Sequence, residues 1–390
     1  MQATGTDRLG RVAWARRPIA VGPWSTDVLT AALLLLRVVV VLTVIADVPH
    51  FPSSAAMRFH EIAHAAGTPY RDVAVEYPIG ELGLIDVVGR WSVGIARAIL
   101  ALAAFGADLA AFACVLAGWG REAARRYLLL GAPLLIFVYR RSDLVAVALA
   151  VAGVVLVRRR ADRLGAGLLG LAVLSKLWPV VVLPILVLIR RTRALWATVV
   201  TVAAGVAGWL ALGGLEGVRQ VVSLRGASGW ELESTIGAVV WPLTGEYRYE
   251  QGANRTGAIP GWARAALAVL LVLGLAAVWW RARRAQVDPA GGPALAAVAT
   301  LLVLSPVLSP GYIAWLLPWA AVASLDTRRM FRLALAPCVI TGGIFALWYL
   351  DAGIGRPANQ AVMIVRNASV LLIPLVWLLG DRGRDGAEGD

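Results

Sequence analysis

The chain has 390 residues, 59% of them hydrophobic, with a mean hydropathy of +0.73 and a formal net charge of +13. A soluble domain is nearer half apolar, and here the excess is gathered in unbroken blocks such as Val28–Ala46 and Ala265–Trp280, each long enough or nearly so to cross a hydrocarbon core of about 30 Å as a helix. This excludes a soluble protein. It also argues against a membrane barrel, because the runs are continuous and not alternating; the arginines read as topology signals, and no nucleic-acid partner is expected.

The predicted elements follow in chain order. Residues 1–26 carry Arg8, Arg11, Arg16 and Arg17 but no small-residue cleavage site, and the run that follows is too long for a signal peptide, so this segment reads as cytoplasmic. Membrane passes are predicted near 27–46, 95–118, 127–139, 144–157, 164–175, 177–189, 194–212, 262–280, 294–308, 312–325, 331–350 and 360–379. The expected architecture is an all-α integral membrane protein, a polytopic bundle of roughly 10–13 transmembrane helices forming one domain over 27–380. Arginine clusters recur between alternate runs (Arg121/Arg125/Arg126, Arg158–Arg160, Arg190/Arg191/Arg193, Arg281/Arg283/Arg284, Arg328/Arg329/Arg332). The positive-inside bias places them, both termini and the tail 381–390 in the cytoplasm. Cys114 and Cys338 lie in apolar runs and imply no disulfide framework.

Several passes, notably 127–139 and 177–189, are too short to span alone. Irregular backbone at membrane depth is tolerated where protein covers it or where it lines a wet cavity. These passes flank Arg140, Asp143 and Lys176, which predicts a cavity open to the outer side; Arg140 and Arg141 themselves read as membrane anchors. Two long extracytoplasmic segments are expected, near 47–94 and 213–261.

The first of these holds all three histidines, including His60-Glu61-Ile62-Ala63-His64, an H-E-x-x-H match to zinc proteases. The stretch Ala55–Gly67 is Ala-rich and ends at glycine, so a helix presenting both rings on one face is expected. Zinc chemistry also needs a third ligand and room for a metal-bound water. The remaining histidine, His50, is separated by Pro52 and two serines, and nothing marks Glu76 or Glu81 as a ligand; no metal is expected. The competing reading is a short amphipathic helix with Phe59, Ile62 and Ala63 inward.

Charged groups inside apolar runs are costly and either pair or face a cavity. Arg37 and Asp108 sit midway through the first two passes, and a structural pair between them is the simpler reading, with a catalytic role the alternative. Lys176, the only lysine in the chain, falls at a helix end just before Trp178-Pro179. It is either an interfacial snorkelling side chain or a cation for a phosphate.

Five segments together resemble glycosyltransferase family 87, the polyprenol-phosphate-mannose-dependent mannosyltransferases of the GT-C class: "GTPYRDVAVEYPIGELGL", "RRSDLVAVALAVAGVVLVRRR", "LGLAVLSKLWPVVVLPILV", "RGASGWELES" and "LSPGYIAWLLPWAA". They fall in the family's order between residues 67 and 321. The chain departs from the pattern at Ile79, Gly311 and Glu231, where a second proline, a glutamine and a glutamine are usual. The resemblance implies transfer of a sugar, mannose by family pattern, from a polyprenyl-phosphate donor to a lipid or glycan acceptor at the outer face of the cytoplasmic membrane, within cell-envelope synthesis and without an obligatory cofactor.

An acidic base in the first outer loop is then expected. Asp47 is the first choice, with Asp72 and Glu76 as alternatives. The departing lipid phosphate needs cations, for which Arg71, Lys176 and Arg225 are candidates. Asp143, Glu233 and Tyr77 are candidates for the donor's sugar side. The alternatives are a transporter or lipid flippase, which would show repeated halves with helices broken at the midplane, and the zinc protease.

Overall fold

The computed structural model describes residues 27–48, 55–222, 228–250, 253–326, 328–349 and 357–380. They form a helical bundle: α1 Val28–Ile45, α2 Ala55–His64, α3 Leu82–Gly89, α4 Val93–Trp119, α5 Arg121–Gly131, α6 Leu135–Val138, α7 Asp143–Arg158, α8 Asp162–Lys176, α9 Pro184–Leu188, α10 Thr192–Val222, α11 Thr235–Thr244, α12 Gly261–Ala282, α13 Gly292–Leu304, α14 Leu317–Asp326, α15 Arg328–Tyr349 and α16 Pro357–Leu379. By length and apolar composition, α1, α4, α10, α12 and the Asn359–Leu379 part of α16 are long enough to cross a bilayer. The polytopic helical membrane architecture expected from the sequence is what the chain adopts.

Burial sorts the helices by depth. α13 is apolar all round and buried from Gly292 to Thr300 on every side, as such a helix must be. α12 exposes Val269, Leu270, Val272 and Leu273, a face suited to lipid. The shorter α7 and α8 are sheltered by neighbours and approach each other closely. A Cβ on Gly153 would lie 2.6 Å from Leu169 Cγ, and one on Gly165 would lie 2.7 Å from the Gly153 carbonyl oxygen, the small-residue contact by which membrane helices associate.

The two predicted short passes are indeed irregular. Residues 121–138 run as α5, a 3-10 turn at Ala132–Leu134 with Pro133, and α6. After α8, Leu177 takes φ 58° and Pro179 bars further α-helix, so Trp178–Val182 winds as a 3-10 turn before α9. A non-glycine residue held there stores of order 1–3 kcal/mol.

Arg37 and Asp108 form a structural junction. Arg37 Nε donates to Asp108 Oδ2 at 2.9 Å and its two terminal nitrogens donate to the Leu33 and Leu128 carbonyls. Tyr127 and Tyr139 each donate a hydroxyl to the same carboxylate at 2.7 Å. Both charges are buried and every polar edge is occupied, the condition under which such a pair is tolerated. The junction ties α1, α4 and α5 to Tyr139, one residue ahead of the polar segment at 140–143.

The arginine clusters gather at one end. Arg158 binds Asp288 at 2.7 Å, Trp119 Nε1 donates to Asp288 at 2.8 Å, Arg126 reaches the Ser324 carbonyl, and Arg159 reaches the Ala117 carbonyl at 2.8 Å. The C-terminus of α1 and the N-termini of α4 and α7 lie at the other end. There the first long loop folds as α2, a turn and α3, and the second as α11 with a small antiparallel sheet. The sheet comprises β1 Trp230–Glu231, β2 Arg248–Glu250 and β3 Ala253–Thr256, in the order β1-β3-β2. Trp230 pairs with Thr256 and Tyr249 with Asn254. The sheet docks on the bundle where the Glu231 amide donates to the Pro306 carbonyl at 3.2 Å.

Candidate active site

The end opposite the arginine clusters assembles charged side chains from five separated segments. Lys176 closes α8, and its Nζ lies 2.9 Å from Glu81 Oε2. Glu81 is 2% exposed and Lys176 12%. The contact depends on Gly80. A Cβ there would lie 2.7 Å from the Leu174 carbonyl carbon and 2.9 Å from the Ser175 nitrogen, so only glycine lets the 79–81 turn rest on the last turn of α8. The ammonium also sits 4.9 Å from the centre of the Tyr77 ring, a favourable cation–π distance. Burial pushes the Glu81 carboxyl up, against the opposing pull of Lys176 and Ser142.

Asp143 begins α7, where a helix N-terminus favours a carboxylate. Trp315 Nε1 donates to its Oδ1 at 2.9 Å. Trp315 is stacked on Tyr312 at 4.2 Å and on Trp178 at 5.3 Å, so three aromatic rings from two irregular turns form one column beside Asp143. Gly311 makes room for a neighbour. A Cβ there would lie 2.9 Å from Arg141 Cδ and 3.4 Å from Asp143 Oδ2. The stem of Arg141 therefore packs over Gly311. Ser309 Oγ and Trp178 Nε1 are buried and have no hydrogen-bond partner among the described residues, leaving capacity that a ligand's polar groups can use.

The second long loop closes this cluster. Glu231 feels the guanidinium groups of Arg255 and Arg141, but burial prevails and raises its carboxyl. Glu233 is clamped by α16. Arg366, fully buried, donates to Glu233 Oε2 at 3.0 Å and to the Glu233 carbonyl, which Asn367 Nδ2 also reaches at 3.0 Å. Burial raises the Glu233 carboxyl to about 7, with Arg366 opposing and Glu231 reinforcing. Ser234 then caps α11, its hydroxyl accepting from the Gly237 amide at 3.0 Å.

Of the residues singled out from sequence, Lys176, Asp143, Tyr77 and Glu233 fall in this connected set. Asp47 stands at its margin, with φ 58°, bound to Arg97 at 2.7 Å and to Arg140 at 3.3 Å, the chain neighbour of Arg141. Asp72 and Glu76 are drawn into local structure. Asp72 accepts from the Thr68 amide at 2.7 Å and closes an exposed turn. Glu76 makes a three-contact pair with Arg58 at 2.9–3.1 Å, pinning the loop to α2. Arg71 is exposed on the same turn. Arg225 lies outside the described residues.

Of Arg140 and Arg141, the first binds Asp47 and the second, exposed, borders Gly311. Glu81 and Arg366 were not foreseen. Arg366 carried the same signal as Arg37, a lone charge midway along an apolar run; Glu81 had no mark beyond standing alone in "YPIGELGL".

The H-E-x-x-H stretch is helical and its two rings lie 4.1 Å apart. His60 Nδ1 donates to the Trp91 carbonyl at 2.7 Å, His64 Nδ1 donates to the His60 carbonyl at 3.0 Å, and Glu61 pairs with Arg58. Among the described residues no three His, Cys, Asp or Glu side chains come together to hold a metal; His50 lies outside them. The stretch instead inserts Phe59 and Ile62 into a local core with Tyr70, Ile85 and Trp209.

The bundle and its site therefore define a polytopic membrane protein with an ion-paired, aromatic-lined polar centre at one end. The model of glycosyltransferase family 87 matches residues 76–310, more than half of the chain, and takes in Tyr77, Glu81, Arg141, Asp143, Lys176, Glu231 and Glu233 of this centre. The chain belongs to glycosyltransferase family 87 and is a membrane glycosyltransferase. Among solved structures, ArnT from Cupriavidus metallidurans in the apo state is similar with a TM-score of 0.49 and 17% identity, over 90% of this chain and 76% of that one, a likeness too distant to assign roles. No match is found among curated proteins.

Proposed function

We propose that this glycosyltransferase takes its sugar, mannose by family pattern, from a polyprenyl phosphate and delivers it to a hydroxyl of a lipid or glycan acceptor at the outer face of the cytoplasmic membrane. The observation that carries this reading is the meeting of Lys176, Glu81, Asp143, Arg141 and Glu231 at one end of the bundle. The acceptor oxygen attacks the anomeric carbon, a base takes its proton, and the bond from that carbon to the phosphate oxygen breaks with both electrons going to the phosphate. Asp47 is the proposed base, at the start of the first outer loop and oriented by Arg97 and Arg140.

Lys176 has three N–H donors and stands in an ion pair with Glu81. With Arg141 it offers positive charge to the departing phosphate, which leaves as an anion. The Trp178–Trp315–Tyr312 column with Asp143 and Glu233 gives the sugar an apolar face and hydrogen-bond acceptors. Asp72, Glu76 and Arg71 serve the loop's own structure in this scheme. The test is incubation of purified protein with radiolabelled donors. Transfer is expected from polyprenyl-phosphate sugars and not from nucleotide sugars; direct use of a nucleotide sugar would overturn the reading.

A further inference from the structure

Outside this site a cavity of about 950 Å³ opens at the arginine-rich end, between the last turns of α12, α14 and α16 and the first turn of α15. It is at the upper end of the range typical of small-molecule sites. Among the described residues three arginines line it, Arg281, Arg284 and Arg329, against one carboxylate, Asp326. The excess is therefore two positive charges. Two of the three arginines are held by aromatic faces: Arg281 lies 5.6 Å from the Trp377 ring, and its guanidinium donates to the Gly380 carbonyl, while Arg284 lies 4.8 Å from the Trp280 ring. Such stacking fixes a guanidinium with little loss of its edge donors.

The wall of the cavity continues onto bilayer-facing surface. Leu372, Leu375 and Leu379 of α16 line it and are themselves exposed, as is Trp280. A soluble anion would use the arginines and leave this apolar strip idle. A ligand with a phosphate and acyl chains uses both.

We propose that this cavity is a binding site for an anionic phospholipid, its headgroup phosphate held by Arg281, Arg284 and Arg329 and its acyl chains lying along Leu372, Leu375 and Leu379. Basic pockets between helices at the cytoplasmic side of membrane proteins select headgroups in this way. The site is separate from the one proposed for sugar transfer and shares no residue with it.

Native mass spectrometry tests the proposal. Purified protein is equilibrated in detergent with equal amounts of phosphatidylglycerol and phosphatidylcholine of the same chain length, and retained lipid is counted. Wild type is expected to retain phosphatidylglycerol preferentially. Arg284→Gln/Arg329→Gln is expected to lower that preference about thirty-fold, from about 1 kcal/mol of attraction per arginine, and Arg284→Lys/Arg329→Lys to keep most of it. Equal retention of the two lipids by wild type, or an unchanged preference in the glutamine variant, would overturn the proposal. So would full displacement of the lipid by millimolar glycerol phosphate, which would mark a site for soluble phosphates. Should the glutamine variant fail to fold, the wild-type selectivity and the lysine variant decide the question alone.

Discussion

Replacing Lys176 by methionine separates two roles that the structure gives it. The ammonium lies 2.9 Å from a carboxylate that is 2% exposed. Removing one partner of a buried pair leaves the other charge uncompensated, at a cost of about 3–5 kcal/mol, whereas an exposed pair is worth about 0–1. Lys176→Met should therefore destabilise the protein strongly, read as a large fall in thermal unfolding temperature in detergent. Glu81→Gln should do less, because the Lys176 ammonium keeps the Asp143 carboxylate and the Tyr77 ring nearby. The double variant Glu81→Gln/Lys176→Met removes both charges and should recover most of the lost stability. Sugar transfer should not recover with it, because the phosphate's cation is still missing. A double variant that regains both would show that Lys176 serves only as the counter-ion of Glu81. A single variant that costs no more than about 1 kcal/mol would mean that the pair is not buried as described.

Gly80→Ala should lower transfer more than tenfold with the protein still membrane-inserted, because a methyl group 2.7–2.9 Å from the backbone of α8 must lift Glu81 off Lys176; wild-type kinetics would contradict the packing of that turn. Asp47→Asn should reduce the rate by about 10²–10⁴, the usual contribution of a general base, while Asp72→Ala, which only opens an exposed turn, should leave transfer within about threefold of wild type. Glu233 is neutral below about pH 7 and charged above it. Because its carboxyl is raised by folding, its contribution to stability is present at low pH and fades as pH rises toward 7. Transfer that relies on the carboxylate should rise through the same interval, and Glu233→Gln should flatten both slopes. Treatment with a metal chelator should leave transfer unchanged, because the scheme places the phosphate's charge on side chains; a loss restored by a divalent cation would refute that part of it.

The helical membrane fold was readable because its cause is local. An apolar run long enough to span must hydrogen-bond its own backbone, and proline or glycine at 131–133 and 177–179 marks where the helix breaks. The Arg37–Asp108 pairing was also readable, since two opposite charges midway along neighbouring passes have few other partners. The centre itself was legible only in part. Lys176 stood out as the lone lysine, and Asp143 by heading a pass.

What joins them was not legible, because the contacts are between segments far apart in the chain. Glu233 meets Arg366 across 133 residues, and Asp143 meets Trp315 across 172. Asp72 and Glu76, conspicuous in a motif-rich loop, turned out to be bonded to a nearby amide and to Arg58. The H-E-x-x-H match has a related limit: helical spacing sets two rings on one face, but only tertiary contacts decide whether a third ligand stands beside them. The small sheet in the second loop escaped notice because its strands are two to four residues long, too short for an alternating pattern to register.

The most direct measurement is an electron cryo-microscopy structure of the Asp47→Asn protein with polyprenyl-phosphate mannose bound. The account predicts phosphate density within hydrogen-bond reach of Lys176 and Arg141, the sugar against Tyr312 and Trp315, and its anomeric carbon turned toward position 47. Density for the donor phosphate at the opposite end, among Arg281, Arg284 and Arg329, with the Lys176 centre empty, would contradict it.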